Sequence, residues 1–181
     1  NDQECQLEVV LDISDRVAVE KALIKSELRK NMVVQIANDG IWDWHIDTNL
    51  VLFDERYYTM AGYAVDEFPY TFEEWEKRVH PEDIEHALNN VKFYLSGVID
   101  HFEIEFRFLR SDRSYMWIKA RGKIVERNRQ GEPTRFIGTH SDITTQKENE
   151  DKILQQAHFD SLTSLPNRFL SLDRLKNACD E

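Results

Sequence analysis

Cysteine is scarce in this sequence. The 181 residues hold two, Cys5 and Cys179, one near each end. Such a pair gives no disulfide framework, and the usage fits a reducing cytosol. Positive charge is also short: 23 Lys and Arg stand against 34 Asp and Glu, for a net charge of −11. Phosphates would be repelled, so nucleic acid and anionic lipid are disfavoured as partners. No apolar run approaches the roughly 18 residues that a bilayer span requires, and no signal-peptide pattern is visible. The expected location is the cytoplasm, with no membrane contact by this chain. The six glycines are scattered and form no phosphate loop. No His, Cys, Asp or Glu set has metal-ligand spacing. Asp39, Asp43, Asp47 and Asp54 are too spread for a Ca²⁺ loop. Apolar residues, by contrast, make up 41 % and aromatics 11 %. That is enough for one packed domain with flanking pieces. A start at Asn1 and an end within a helical pattern read as a fragment of a longer protein.

One junction organises the chain. At Gly138-Thr139-His140-Ser141-Asp142-Ile143-Thr144 a strand pattern stops and a charged helical pattern begins. Val10-Leu11-Asp12-Ile13-Ser14 carries the same junction 130 residues earlier, counting from Asp12 to Asp142. At that offset Glu20 matches Glu150, Leu23 matches Ile153 and Ile24 matches Leu154. A repeated strand-to-helix exit suggests an array of modules, each handing its chain to a linker helix. That organisation points to signal transmission rather than to chemistry.

Taken in order, residues 1–14 read as the end of a preceding unit, with a strand over Leu7–Ile13. Residues 15–37 read as a linker helix. Val17, Ile24, Leu28, Met32 and Ile36 form its narrow apolar stripe, which suits either a two-stranded coiled coil or docking on a sheet. The domain proper spans 38–144. Ile41–Ile46 and Leu50–Phe53 read as a hairpin about the turn Asp47-Thr48-Asn49. Short helices are expected near 55–61 and 71–78. A longer one is expected near 81–96, with Pro81 in its first turn. Phe102, Ile104, Phe106 and Phe108 alternate on one face of the next strand. Tyr115–Glu126 follows, with Met116, Ile118 and Ala120 on one face and Tyr115, Trp117, Lys119, Arg121 and Lys123 on the other. The last strand is Thr134–Ile143. A five-stranded antiparallel sheet with short helices on one face follows from this order, an α+β class. Trp117 on the mixed outer face is expected to be covered by the N-terminal helix or by a second chain. Thr145-Gln146-Lys147-Glu148 fits a capping box opening an exit helix over 145–158.

This order resembles the PAS fold, in its sensory-box form with a C-terminal motif. Gly40-Ile41-Trp42-Asp43-Trp44, Met60-Ala61-Gly62-Tyr63, Val79-His80-Pro81-Glu82-Asp83 and Asp142-Ile143-Thr144 carry the resemblance. By the same likeness, residues 1–14 resemble the end of an upstream PAS domain. After the exit helix, Asp160-Ser161-Leu162-Thr163-Ser164-Leu165-Pro166-Asn167-Arg168-Phe169 resembles the opening of a GGDEF domain, with Ser164 where Gly is usual. Residues 159–181 would be the truncated start of that domain. The resemblance implies a bacterial signalling protein. Its sensory or dimerising module would govern cyclic di-GMP synthesis by a diguanylate cyclase. A hybrid with a phosphodiesterase domain and a ligand-free interaction module are alternatives. The fragment lacks the catalytic loop and is expected to be no enzyme by itself. A homodimer through the linker helix and the sheet's outer face is the expected assembly.

A covalent flavin sensor of this fold would need a cysteine in the helical region, and none lies there. A haem sensor needs an axial histidine on the long helix, where His86 stands among polar neighbours and reads as solvated. No cofactor is therefore named, and an unidentified small ligand stays open. Trp42, Trp44, Met60, Phe72, Trp75, Ile104 and Phe106, with Phe93 and Phe108, either line a cavity for an apolar or ring-shaped ligand or simply fill the core. At the junction, Thr144 or Thr145 is expected to cap the exit helix, while Asp142 bonds back to the sheet. Asp142, Ile143 and Thr144, with Asp12 and Ser14 in the earlier copy, are the candidate signal-coupling residues.

Overall fold

The computed structural model describes residues 38–158 together with 165 and 167. The expected upstream strand, the linker helix, the junction copy at Asp12 and Ser14, and most of the GGDEF-like stretch lie outside the described residues.

Two strands come first, β1 (Gly40–His45) and β2 (Leu50–Phe53). Asn49 closes their turn with a positive φ of 57°, a conformation that Asn tolerates better than most residues. Three helices follow: α1 (Glu55–Thr59), α2 (Phe72–Glu76) and α3 (Ile84–Leu95). Then come β3 (Phe102–Leu109), β4 (Tyr115–Arg127), β5 (Pro133–Asp142) and the exit helix α4 (Thr144–His158). The strands form one antiparallel sheet in the order β2-β1-β5-β4-β3. The expected fold class therefore holds.

The helices pack on one face of the sheet because the strands alternate apolar and polar residues. Phe102, Ile104, Phe106 and Phe108 all turn inward and are buried, as the alternation of β3 requires. Met116, Ile118 and Ala120 do the same from β4. Tyr57 and Tyr58 on α1, Trp75 on α2 and Ala87, Val91 and Tyr94 on α3 close the core from the other side. Phe93 does not join them; it is exposed on α3.

The start of α3 departs from the expectation. Pro81 lies in a turn, and the helix begins at Ile84. Asp83 precedes the helix but its carboxylate makes no cap. Instead it accepts from the backbone N–H and guanidinium of Arg107 on β3, at 2.7–2.9 Å. A two-pronged charged bond outweighs a single cap, and it ties the helix layer to the sheet.

At the far end of α4, Asn167 donates its backbone N–H to the His158 carbonyl at 2.8 Å. Its side-chain amide donates to the Ala157 carbonyl at 2.7 Å. Two carbonyls that a helix end leaves unsatisfied thus find donors. Among the described residues no helix is long and apolar enough to cross a membrane.

Candidate functional site

Rows of paired residues across the sheet build the site. One row runs Phe53, Trp42, Gly138, Gly122, Phe102. The two central glycines leave a hollow, and the Trp42 indole and the Phe136 ring occupy it. A methyl group on Gly138 would stand 2.2 Å from Trp42 Cζ2 and 2.1 Å from the Arg121 carbonyl oxygen. The neighbouring row runs Gly40, His140, Ala120, Ile104. Tyr57 of α1 sits directly over Gly40, where an added Cβ would meet its Cα at 2.6 Å. Small residues in both rows therefore let bulky rings from β1, β5 and α1 converge.

Between these rings lies a small apolar cavity that opens to solvent. Trp42, Trp44, Val51, Phe53, Tyr57, Phe72, Trp75, Val91, Phe102, Ala120, Phe136 and His140 line it. Trp44 stacks on Phe72 at 4.4 Å, and Phe72 leans on Trp75 at 4.9 Å. Trp42 meets Phe136 edge-on at 4.7 Å. Of the residues proposed from sequence, Trp42, Trp44, Phe72 and Trp75 come together on this wall. Ile104 and Phe106 are buried in the core, and Met60 packs half-buried against it. His86 is exposed on α3.

The sequence reading passed over His140. Its ring is buried, 4.9 Å from Tyr57 and 5.5 Å from Phe106. Burial without a countercharge lowers its pKa from 6.5 to about 3, so the imidazole is neutral at physiological pH. Neither ring nitrogen makes a hydrogen bond among the described residues. Alternation along β5 was the available signal: Phe136, Gly138 and His140 share one face. The indole nitrogens of Trp42 and Trp44 are buried without partners. The Tyr57 hydroxyl likewise makes no hydrogen bond among the described residues, and burial holds its pKa far above the ordinary tyrosine value.

Two residues beyond His140, the strand hands over to α4. Here the expected division of labour is exchanged. Asp142 supplies the cap, its carboxylate accepting from the Thr144 backbone N–H at 2.9 Å, and Thr145 supplies none. Thr144 supplies the bond to the sheet, its hydroxyl accepting from the Trp117 N–H of β4 at 3.0 Å. Ile143 is buried and donates its N–H to the Trp117 carbonyl at 2.9 Å. Asp142 also faces Arg110 at 3.6 Å. The exchange follows from the geometry: a carboxylate two residues before the first helical N–H folds back onto it, while the hydroxyl on the first turn faces the sheet.

The exit helix is pinned further along. Lys147 pairs with Glu105 at 2.6 Å and lies 5.3 Å from the Trp117 ring centre. Glu105 is shared with Lys119 at 3.6 Å, and Lys119 also meets Glu103 at 2.7 Å. Lys147 holds the Glu105 carboxyl below the usual range, and Lys119 with Arg121 lowers that of Glu103 to about 2. Trp117 is half-buried beneath Lys147 and Arg107, so among the described residues its partial cover comes from the exit helix and β3. The N-terminal helix expected there lies outside the described residues.

Comparison with known proteins agrees with this geometry. The family model described as "PAS fold" matches residues 50–140. The methyl sulfide methyltransferase-associated sensor of Methanosarcina acetivorans is 28 % identical over 156 residues, 81 % of this chain and 15 % of that protein. The Escherichia coli protein named "Probable diguanylate cyclase DgcE" is 28 % identical over 127 residues, 68 % of this chain and 11 % of its own length. The chain thus spans a small part of the curated relatives it matches. Among solved structures, a sensory box histidine kinase/response regulator from Burkholderia thailandensis aligns with a TM-score of 0.60 and 29 % identity, over 69 % of this chain and 92 % of the other. The N-terminal domain of a diguanylate cyclase with PAS/PAC sensor from Marinobacter aquaeolei aligns with a TM-score of 0.54 and 28 % identity, over 60 % and 98 %. Fold, register and family model agree: this chain belongs to the PAS-fold family of sensory domains from signalling proteins.

Proposed function

We propose that this domain regulates cyclic di-GMP synthesis by a GGDEF domain that follows it in a cytoplasmic signalling protein. A change in the sheet passes through Asp142, Ile143 and Thr144 to α4. The observation that carries this reading is the double fastening of Trp117. Its N–H is held by the Thr144 hydroxyl and its carbonyl by the Ile143 N–H. A shift of β4 against β5 must therefore move the first turn of α4, and with it the chain that leads to Asn167. The likeness of Asp160–Phe169 to a GGDEF opening supports the cyclase as output, as do the two cyclase relatives.

The exit helix buries no residue, and Ile153 and Leu154 stand exposed on it. Those two residues, repeated at Leu23 and Ile24, suit pairing with a second copy, so the working unit is a homodimer. The test uses the full-length parent. Cyclic di-GMP formation is measured in wild type and Thr144→Val, with the upstream region intact and deleted. The reading expects the deletion to change output in wild type and to leave Thr144→Val unresponsive. Equal responses in both proteins would refute the junction as the route.

A further inference from the structure

The exit helix α4 has almost no apolar hold on the sheet. It buries no residue, and every side chain from Glu148 to Ala157 is exposed. The bonds of Ile143 and Thr144 to Trp117 set where the helix starts more than where it points. Its direction depends on Lys147. The Lys147 ammonium meets Glu105 on β3 at 2.6 Å and stands 5.3 Å from the Trp117 ring centre. With side-chain exposures of 28 % and 31 %, Lys147 and Glu105 both remain open to dissolved ions. The pair ends a longer row. Glu105 is also 3.6 Å from Lys119, Lys119 is 2.7 Å from Glu103, and Glu103 is 2.7 Å from Arg121. Strand pairing dictates this row, since Glu105 faces Lys119 and Glu103 faces Arg121 across β3 and β4. Charges thus alternate in sign from Arg121 to Lys147, and the helix supplies the last of them.

We propose that Lys147 is the positioning residue of the exit helix: its ion pair with Glu105, rather than apolar packing, seats α4 against the sheet, so that the ionic strength of the medium shifts α4 between a seated and a released position. An isolated surface ion pair contributes little to stability. Here little is enough, because no buried side chain of α4 resists release. The row of charges also holds the Glu105 carboxylate in place before the helix arrives, and networks of this kind outperform single pairs. Bonding to Glu105 holds the Lys147 ammonium above its ordinary range, so pairing favours the charged form. Salt acts on this link selectively. The screening length is about 30 Å at about 0.01 M salt and about 3 Å at about 1 M. The bonds of Thr144 and Ile143 to Trp117 join groups without net charge. High salt therefore frees the helix beyond its first turn and leaves the first turn in place. The inference rests on the sensory reading, to which it adds an input that acts on the helix itself.

The test uses the 181-residue chain with spin labels at Val125 on β4 and Gln155 on α4, and with Cys5 and Cys179 replaced by Ser. Both labelled residues are exposed and uncharged, so labelling leaves the charges as they are. Label distances are measured at about 0.01 M and about 1 M salt. The chain with Lys147 and Glu105 intact is expected to give one narrow distribution at low salt. At high salt the population outside it should rise at least threefold. Lys147→Gln should show the released population at both salts. Lys147→Glu combined with Glu105→Lys reverses the pair; it should restore the seated helix at low salt and lose it at high salt, which a purely steric role for Lys147 would not produce. A distribution that ignores salt in the intact chain would overturn the proposal. So would a seated helix in Lys147→Gln, or a reversed pair that stays released at low salt. Cyclic di-GMP is not measured, so failure of the cyclase reading would leave this result standing.

Discussion

Replacing His140 by Leu should remove a specific acid sensitivity. In the folded chain its pKa is lowered to about 3 by burial; the unfolded chain has the ordinary 6.5. Between those values the unfolded chain binds the extra proton. Stability therefore is full above pH 6.5 and falls as the pH drops toward 3. Each pH unit well inside that window costs about 1.4 kcal/mol. From pH 7.5 to pH 5 the loss is about 2 kcal/mol, and it would hardly differ for a folded value of 4. That is a sizeable share of the stability of a domain this size. The carboxylates held low by ion pairs, Glu103, Glu105 and Asp83 among them, act chiefly below pH 5, where free carboxyls begin to protonate. Urea melts at pH 7.5 and pH 5 provide the assay. The wild-type midpoint should fall by about 1 M for a urea slope near 2 kcal/mol/M. His140→Leu should lose much less between the same two pH values, whatever its absolute stability. Equal losses in the two proteins would show that His140 takes up its proton within the fold and that the cavity floor is wetter than its apolar walls suggest.

The junction and the glycine row give further tests. Thr144→Val leaves the Trp117 N–H without its acceptor; a cost of about 1–2 kcal/mol and faster amide exchange at Trp117 are expected by hydrogen-exchange NMR. Asp142→Ala removes the cap on α4 and the partner of Arg110; thermal melts should show a loss of about 0.5–2 kcal/mol with the core intact. Gly138→Ala forces a methyl into Trp42 and the β4 backbone; a loss of about 2 kcal/mol or more is expected, with a changed Trp fluorescence spectrum. A Gly138→Ala protein as stable as wild type would mean that the indole moves aside freely.

Much of this architecture is legible in the sequence because strand alternation is strict. Phe102, Ile104, Phe106 and Phe108 announce both the strand and its buried face. The junction is legible too, since a strand period gives way to charged helical spacing within three residues. What escaped reading depends on pairing across strands. His140 looks like one more polar residue near a turn until β5 is set between β1 and β4, where it stands between Gly40 and Ala120. The exchange of roles between Asp142 and Thr144 escaped for the same reason: the hydroxyl's partner, Trp117, is 27 residues away. Phe93 and Phe106 are equally aromatic in sequence, and only the packing of α3 puts one in solvent and the other in the core.

The account's central claim is that a change in the sheet moves the exit helix through the junction. The most direct measurement is a distance between spin labels at Val125 on β4 and Lys152 on α4, both exposed, with Cys5 and Cys179 replaced by Ser. The otherwise native chain is expected to give one narrow distance distribution, and Thr144→Val, which lacks the bond to Trp117, a broader or displaced one. Identical distributions in the two folded proteins would contradict the claim.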